Sequence, residues 1–153
     1  METQIIKTLK YRNGDLIRTD FEQAGKEKEG AVKVVNDNYY YNWYAVNDPR
    51  GLEPEGYEVQ RIKKLMKMDS KHFQLNGYLE KDGQIFGVDR DGYWWSASDG
   101  SNNKVHYAWF RTLIHECPET HKMDAVIQER YTDTYQNNNA KEFGFNVICV
   151  KNN

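Results

Sequence analysis

Three of the four tryptophans fall in one short stretch of this chain, in Gly92-Tyr93-Trp94-Trp95-Ser96-Ala97-Ser98 and in the answering run Tyr107-Ala108-Trp109-Phe110-Arg111. Between the two runs lies the polar connection Asp99-Gly100-Ser101-Asn102-Asn103-Lys104. Aromatic runs bounded by turn residues read as strands, and indole rings carry the largest apolar area of any side chain. The pattern therefore predicts two strands joined by an exposed loop, with the bulky rings as the anchor of the core.

The whole chain of 153 residues suits one domain, residues 1–153, with a modest core. Its formal net charge of -2 gives no clustered basic footprint for nucleic acid. Aromatics make up 14% of the residues, with eleven tyrosines, yet the mean hydropathy is -0.92. Tyr and Trp combine an apolar body with a polar edge, which serves both a small core and a recognition surface. No apolar run is long enough to predict a membrane-spanning helix. The opening Met1-Glu2-Thr3-Gln4-Ile5-Ile6-Lys7 lacks the regions of a secretory signal, so the expected routes to a surface are removal of a leader or assembly into a virion. Cys117 and Cys149 are read as two free thiols.

In chain order, residues 5–20 read as a strand and a turn at Asn13-Gly14-Asp15, Phe21 to Gly30 as an exposed loop or short helix, and Ala31 to Val35 as an edge strand. Asn36, Asp37 or Asn38 offers an N-cap for an aromatic helix over Tyr39 to Val46, stopped by Asn47-Asp48-Pro49-Arg50-Gly51. Leu52 to Val59 reads as an extended link. A second helix over Gln60 to Met68 would bury Ile62, Leu65 and Met66 and expose Arg61, Lys63, Lys64 and Lys67. Phe73 to Leu79 and Ile85 to Val88 read as a hairpin turned at Lys81-Asp82-Gly83-Gln84. His115 to Asn139 is polar and turn-rich apart from a short strand at Ala125-Val126-Ile127. The segment Phe143 to Val150 closes the chain as a strand with Phe145, Val147 and Cys149 on one face.

Tyr-Trp-Trp-Ser-Ala-Ser at 93–98 and Ala-Trp-Phe-Arg at 108–111 resemble the "YWWSS…AWYR" signature of the Fibrobacter succinogenes major paralogous domain, FISUMP. Tyr41 to Leu52 resembles that family's "YNWYAVNDPRGL", Gly144 to Lys151 its "GFSVRCVK", and Leu9 to Asp15 its lead-in "LKTTKYRNGD". The chain departs from the pattern after Leu52, where Tyr57 stands in place of a Trp and Gln60-Arg61-Ile62 in place of a Pro-Thr-Asp cap. The resemblance implies an α+β, compact C-type-lectin-like fold related to the formylglycine-generating enzymes, with small twisted antiparallel sheets, two short helices and long polar loops. It also implies a variable binding surface in the loops toward the C-terminal end.

The chemistry of the chain points away from catalysis. His115-Glu116-Cys117-Pro118-Glu119-Thr120-His121 gathers imidazoles and a thiol but matches no zinc template. Asp89, Asp91 and Asp99 form a loose carboxylate set for calcium, without the Glu-Pro-Asn and Trp-Asn-Asp elements of sugar-binding lectins. The formylglycine-generating relatives need two closely spaced cysteines, which Cys117 and Cys149 are not. Neither a phosphate loop nor a nucleophile elbow occurs. No cofactor and no metal are expected. The expected activity is noncatalytic binding or display toward a glycan or protein on a cell surface, through Asp99, Asn102, Asn103, Tyr107, His115, Tyr131 and Tyr135. The alternative is a decoration or fibre subunit of a phage particle or surface appendage, with homo-oligomer or neighbouring-subunit contacts. A metal or redox enzyme is a further, weaker alternative.

Overall fold

The computed structural model describes residues 2–59, 74–97, 105–117, 122–133 and 141–152. The expected helix at Gln60–Met68, the connection Asp99–Lys104, the segment Pro118–His121 and Tyr135 lie outside them. The elements run β1 (Thr3–Ile5), α1 (Phe21–Lys26), β2 (Val32–Val35), β3 (Asn38–Tyr41), α2 (Trp43–Val46), β4 (Tyr57–Val59), β5 (Asn76–Leu79), β6 (Ile85–Val88), β7 (Asp91–Ala97), β8 (Val105–Cys117), β9 (Lys122–Asp133) and β10 (Asn146–Lys151). The architecture is mixed α+β, mostly strand, with two short helices among the described residues. None of these helices is long and apolar enough to cross a membrane.

The tryptophan runs form neighbouring antiparallel strands as expected, with Trp94 opposite Trp109 and Trp95 opposite Ala108. Consecutive residues on a strand face opposite sides, yet Trp94 and Trp95 are both buried, so β7 is covered on both faces. On its other edge β7 meets β5 at Gly77 and then β10, where Asn146 and Val147 pair with Trp94 and Trp95. Both of these pairings are parallel, so the eight-stranded sheet is mixed rather than a set of small antiparallel sheets. The C-terminal strand β10 also holds β1 and β4, and its residues 146–150 are buried on both faces. Tyr41, Trp43, Trp95, Phe145, Val147 and Cys149 belong to one core cluster, in which the Trp95 and Phe145 rings lie 4.4 Å apart. A second, smaller cluster joins Phe21 and Ala24 of α1 to Tyr40 and Leu79. The segment after residue 20 is therefore a helix that contributes to the core rather than a loop.

Two further expectations are overturned. The aromatic helix over Tyr39–Val46 is instead strand β3 followed by the single turn α2. Asn36 and Asp37, read as caps, take φ of 49° and 65° and form the two-residue turn of the β2–β3 hairpin, while Asn38 opens β3 opposite Val35. Paired positive φ is the geometry of a type I′ hairpin turn, and three consecutive tyrosines, with Tyr39 and Tyr41 opposite Val34 and Val32 and Tyr40 opposite Lys33, favour the pleated state. The cap of α2 is Asn42, whose side-chain oxygen accepts from Ala45 N–H at 2.9 Å. The second correction concerns the polar run after Ile114. There β8 continues to Cys117 and β9 extends from Lys122 to Asp133, well beyond the predicted short strand at Ala125–Ile127. An antiparallel ladder satisfies backbone groups whatever the side chains, so polar residues do not prevent pairing once register is set by a neighbour.

Candidate functional site

The residues expected to bind a ligand divide between the β8–β9 hairpin and segments outside the described residues. Tyr107 stands between Ser96 of β7 and Asp133 of β9 in the ladder, and Tyr131 is opposite Trp109, diagonal to Tyr107. These two positions are brought together. His115 pairs with Asp124 beyond two register shifts, roughly 25 Å along the strand from Tyr107. It does not belong to the same patch. Asp99, Asn102, Asn103 and Tyr135 lie outside the described residues. Cys149 is a free, buried thiol on β10, and burial raises its pKa well above the ordinary thiol value. Among the described residues no group of three or more His, Cys, Asp or Glu side chains is placed to hold a metal ion.

A second location was not legible as a site in the sequence. Asn42 is fully buried and uses both ends of its amide: Oδ1 accepts from Ala31 N–H at 3.0 Å and from Ala45 N–H at 2.9 Å, and Nδ2 donates to the Glu29 carbonyl at 2.8 Å. These bonds hold residues 29–31 against α2. After the helix, Asp48 accepts from Arg50 three times: from its N–H at 2.9 Å, from Nε at 3.0 Å and from Nη2 at 2.8 Å. The fixed guanidinium lies over the Tyr11 ring, 4.0 Å from its centroid.

Between these segments opens a cavity of about 530 Å³, bordered by Tyr11, Arg18, Gly30, Trp43, Asn47 and Arg50 among others. The Tyr11 hydroxyl is buried, with Arg50 its near polar neighbour but no hydrogen bond of good geometry, and the buried Oδ1 of Asn47 has no hydrogen-bond partner. Gly30 is required here by close approach, because a Cβ would collide with the Tyr11 hydroxyl and lie 2.8 Å from Ala45 Cα. Burial, with the Asp48 charge nearby, pushes the Tyr11 phenol up to about 12. Hydrogen bonds from Arg50 hold the Asp48 carboxyl below its usual range. At the other border Arg18 reaches Asp20 at 2.6 Å, Glu27 at 2.6 Å and Glu29 at 2.8 Å. The lining combines the Trp43 and Tyr44 rings with charges of both signs, Lys28, Arg18 and Arg50 beside Glu29 and Asp48. The only sequence signal was the Asn47-Asp48-Pro49-Arg50-Gly51 turn, read as a helix stop; its partner Tyr11 lies far away in the chain.

Compared with protein-family models, characterised proteins and solved structures, the chain matches none.

Proposed function

We propose that this chain is a noncatalytic binding or display module with a C-type-lectin-like fold of the FISUMP type, presenting its loops to a glycan or protein on a cell surface. The observation that carries the reading is the β8–β9 hairpin. Its strands are 13 and 12 residues long, against three to seven for the other strands. One side of it is anchored to the buried tryptophans of β7, and the expected recognition positions Tyr107 and Tyr131 are in its ladder. Rigidly anchored ends let a connecting segment vary without loss of the fold. The finer fold assignment rests on the family-like motifs in their order, and a mostly stranded α+β domain with short helices suits it.

The test is binding of the labelled chain to a glycan array and to intact bacterial cells. The Asn102→Ala, Tyr107→Ala double variant is expected to lose capture while keeping its melting temperature. Unchanged capture would remove that loop from the site.

One observation favours the second reading, a fibre or decoration subunit. Among the described strands β9 pairs only with β8, so a long edge is available for pairing with a neighbouring chain. Size exclusion with light scattering separates the two: a stable trimer or larger assembly supports the subunit, a monomer the stand-alone module.

A further inference from the structure

We propose that Asn13 is a site of spontaneous covalent modification, where the side-chain amide is lost through a cyclic imide to give aspartate and isoaspartate, and that the fold withholds the same chemistry from Asn76. The inference is independent of the reading of the chain as a binding module. Asn13-Gly14 and Asn76-Gly77 are the two Asn-Gly pairs of the sequence. Such pairs are prone to this reaction because glycine has no Cβ to obstruct the approach of its nitrogen to the preceding amide carbon.

In the first step the Gly14 nitrogen gives its proton to hydroxide and bonds to Cγ of Asn13. The bond from Cγ to Nδ2 breaks, and the amide nitrogen departs as ammonia with a proton from water, which regenerates hydroxide. Water then opens the imide. Cleavage between the nitrogen and Cγ leaves aspartate; cleavage between the nitrogen and the main-chain carbonyl carbon leaves isoaspartate. The net change is uptake of water and release of ammonia.

The two pairs differ in what must move. Arg12 to Leu16 are all exposed, and a Cβ on Gly14 would meet nothing within 4 Å. Asn13 Oδ1 accepts from Asp15 N–H at 3.1 Å, and Nδ2 donates to Asp15 Oδ2 at 2.9 Å. The first of these bonds closes a small ring that contains both Cγ and the Gly14 nitrogen, and it puts a donor on the oxygen that turns negative during the attack. One restraint opposes the step, the bond from Gly14 N–H to the Tyr11 carbonyl at 2.9 Å. At an exposed turn that bond opens without disturbing the core.

Asn76-Gly77 lies inside β5, with Asn76 opposite Val88 of β6 and Gly77 opposite Gly92 of β7. Gly77 is buried, and a Cβ there would collide with the Phe86 carbonyl oxygen. The Asn76 amide donates to Asn146 Oδ1 at 3.3 Å, and the Asn76 main-chain carbonyl accepts from the Tyr40 hydroxyl at 2.7 Å. Bringing the Asn76 side chain onto the Gly77 nitrogen therefore requires parting β5 from the strands on both sides.

Peptide mapping of the full chain, aged at physiological temperature in mildly alkaline buffer, tests the site. Cleavage after lysine gives Tyr11–Lys26, with Asn13 as its one asparagine, and His72–Lys81, with Asn76 as its one. In the folded chain the first peptide is expected to gain the mass of an amide-to-acid change and to appear as two isomers, of which one accepts a methyl group from S-adenosylmethionine through an isoaspartyl methyltransferase. The second peptide is expected to lag by about tenfold or more, and to catch up when the chain is aged in guanidinium chloride. Asn13→Gln, whose longer side chain would need a larger ring, should leave the first peptide unmodified. Conversion of Asn76 as fast as Asn13 in the folded chain would overturn the protection. Asn13 intact in the folded chain, over a period in which the unfolded chain converts at both pairs, would overturn the site.

Discussion

The indole N–H of Trp95 donates to the main-chain carbonyl of Tyr41 across 2.7 Å, although 54 residues separate the two in the chain. Tyr41 carries the link further. Its hydroxyl accepts from Thr8 N–H at 2.9 Å and donates to the Thr8 carbonyl at 2.9 Å, and its backbone N–H donates to Phe145 O at 2.9 Å. The N-terminal segment, the β2–β3 hairpin, the tryptophan strand and the C-terminal strand thus meet at two aromatic residues.

Replacing either indole of β7 should be severe. Trp94 and Trp95 are 2% and 0% exposed, and Trp94→Ala or Trp95→Ala is expected to cost about 3–5 kcal/mol of stability. Trp95→Phe keeps most of the volume and loses the bond to Tyr41, for about 1–2 kcal/mol. Urea denaturation followed by circular dichroism measures both. A loss under about 1 kcal/mol for Trp95→Ala would place the core elsewhere.

Asn42 is the second stability centre. Asn42→Ala strips partners from Ala31 N–H, Ala45 N–H and the Glu29 carbonyl together, with an expected cost of about 3 kcal/mol. Asn42→Asp retains the two accepted bonds but sets a carboxylate against the Glu29 carbonyl, and should fall between the two. A melting temperature for Asn42→Ala within about 3 °C of the parent would show that the capping bonds contribute little.

The β2–β3 turn predicts an ordering rather than a loss. With Asp37 at φ 65°, Asp37→Gly should match or exceed the parent by about 0.5 kcal/mol, whereas Asp37→Val should lose about 1–2 kcal/mol. The Lys7–Asp37 ion pair at 3.2 Å joins two exposed side chains and adds little to this balance. Thermal melts that rank Val above Gly would rule out the type I′ geometry.

Alkaline pH should weaken the fold in two steps. Burial raises the Cys149 thiol and the Tyr41 phenol, and pushes Tyr11 and Tyr40 up to about 12. Each group holds its proton more tightly folded than unfolded. Its contribution is therefore complete below the unfolded pKa and is lost as pH rises toward the folded one. The unfolded values are about 8.5 for Cys and about 10 for Tyr, so loss should begin near pH 8.5 and steepen near pH 10. Cys149→Ala should delay the onset to near pH 10. Denaturation midpoints measured across this range decide it, and an onset unmoved by the substitution would mean that Cys149 does not titrate with unfolding.

The elements legible in the sequence were those whose signals are local. The aromatic runs gave β7 and the start of β8, Lys81–Gln84 marked the β5–β6 turn, and the apolar segment at the end predicted β10. Tyr39 to Val46 misled because Tyr39, Trp43 and Val46 fit a helical stripe as well as Tyr39-Tyr40-Tyr41 fit a strand. The decision lay with Asn36 and Asp37, whose positive φ turned the chain before a helix could start. β9 has no sustained alternation to announce it and is defined by its pairing with β8. The cavity was illegible for a different reason: its lining residues, Tyr11 and Arg18 on one side and Trp43 to Arg50 on the other, are distant in the chain and meet only in the folded state.

The position of β10 also bears on how the protein is made. The strand that unites β1, β4 and β7 is the last in the order of elements, and its parallel contact with β7 joins distant parts of the chain. Long-range pairings of this kind form slowly, since a large loop must close before any bond rewards it. On the ribosome, the nascent chain therefore carries Trp94 and Trp95 without their β10 partners until Asn146 and Val147 have emerged. Arrested chains ending before Asn146 should remain open to protease and to chaperones that bind exposed aromatic segments.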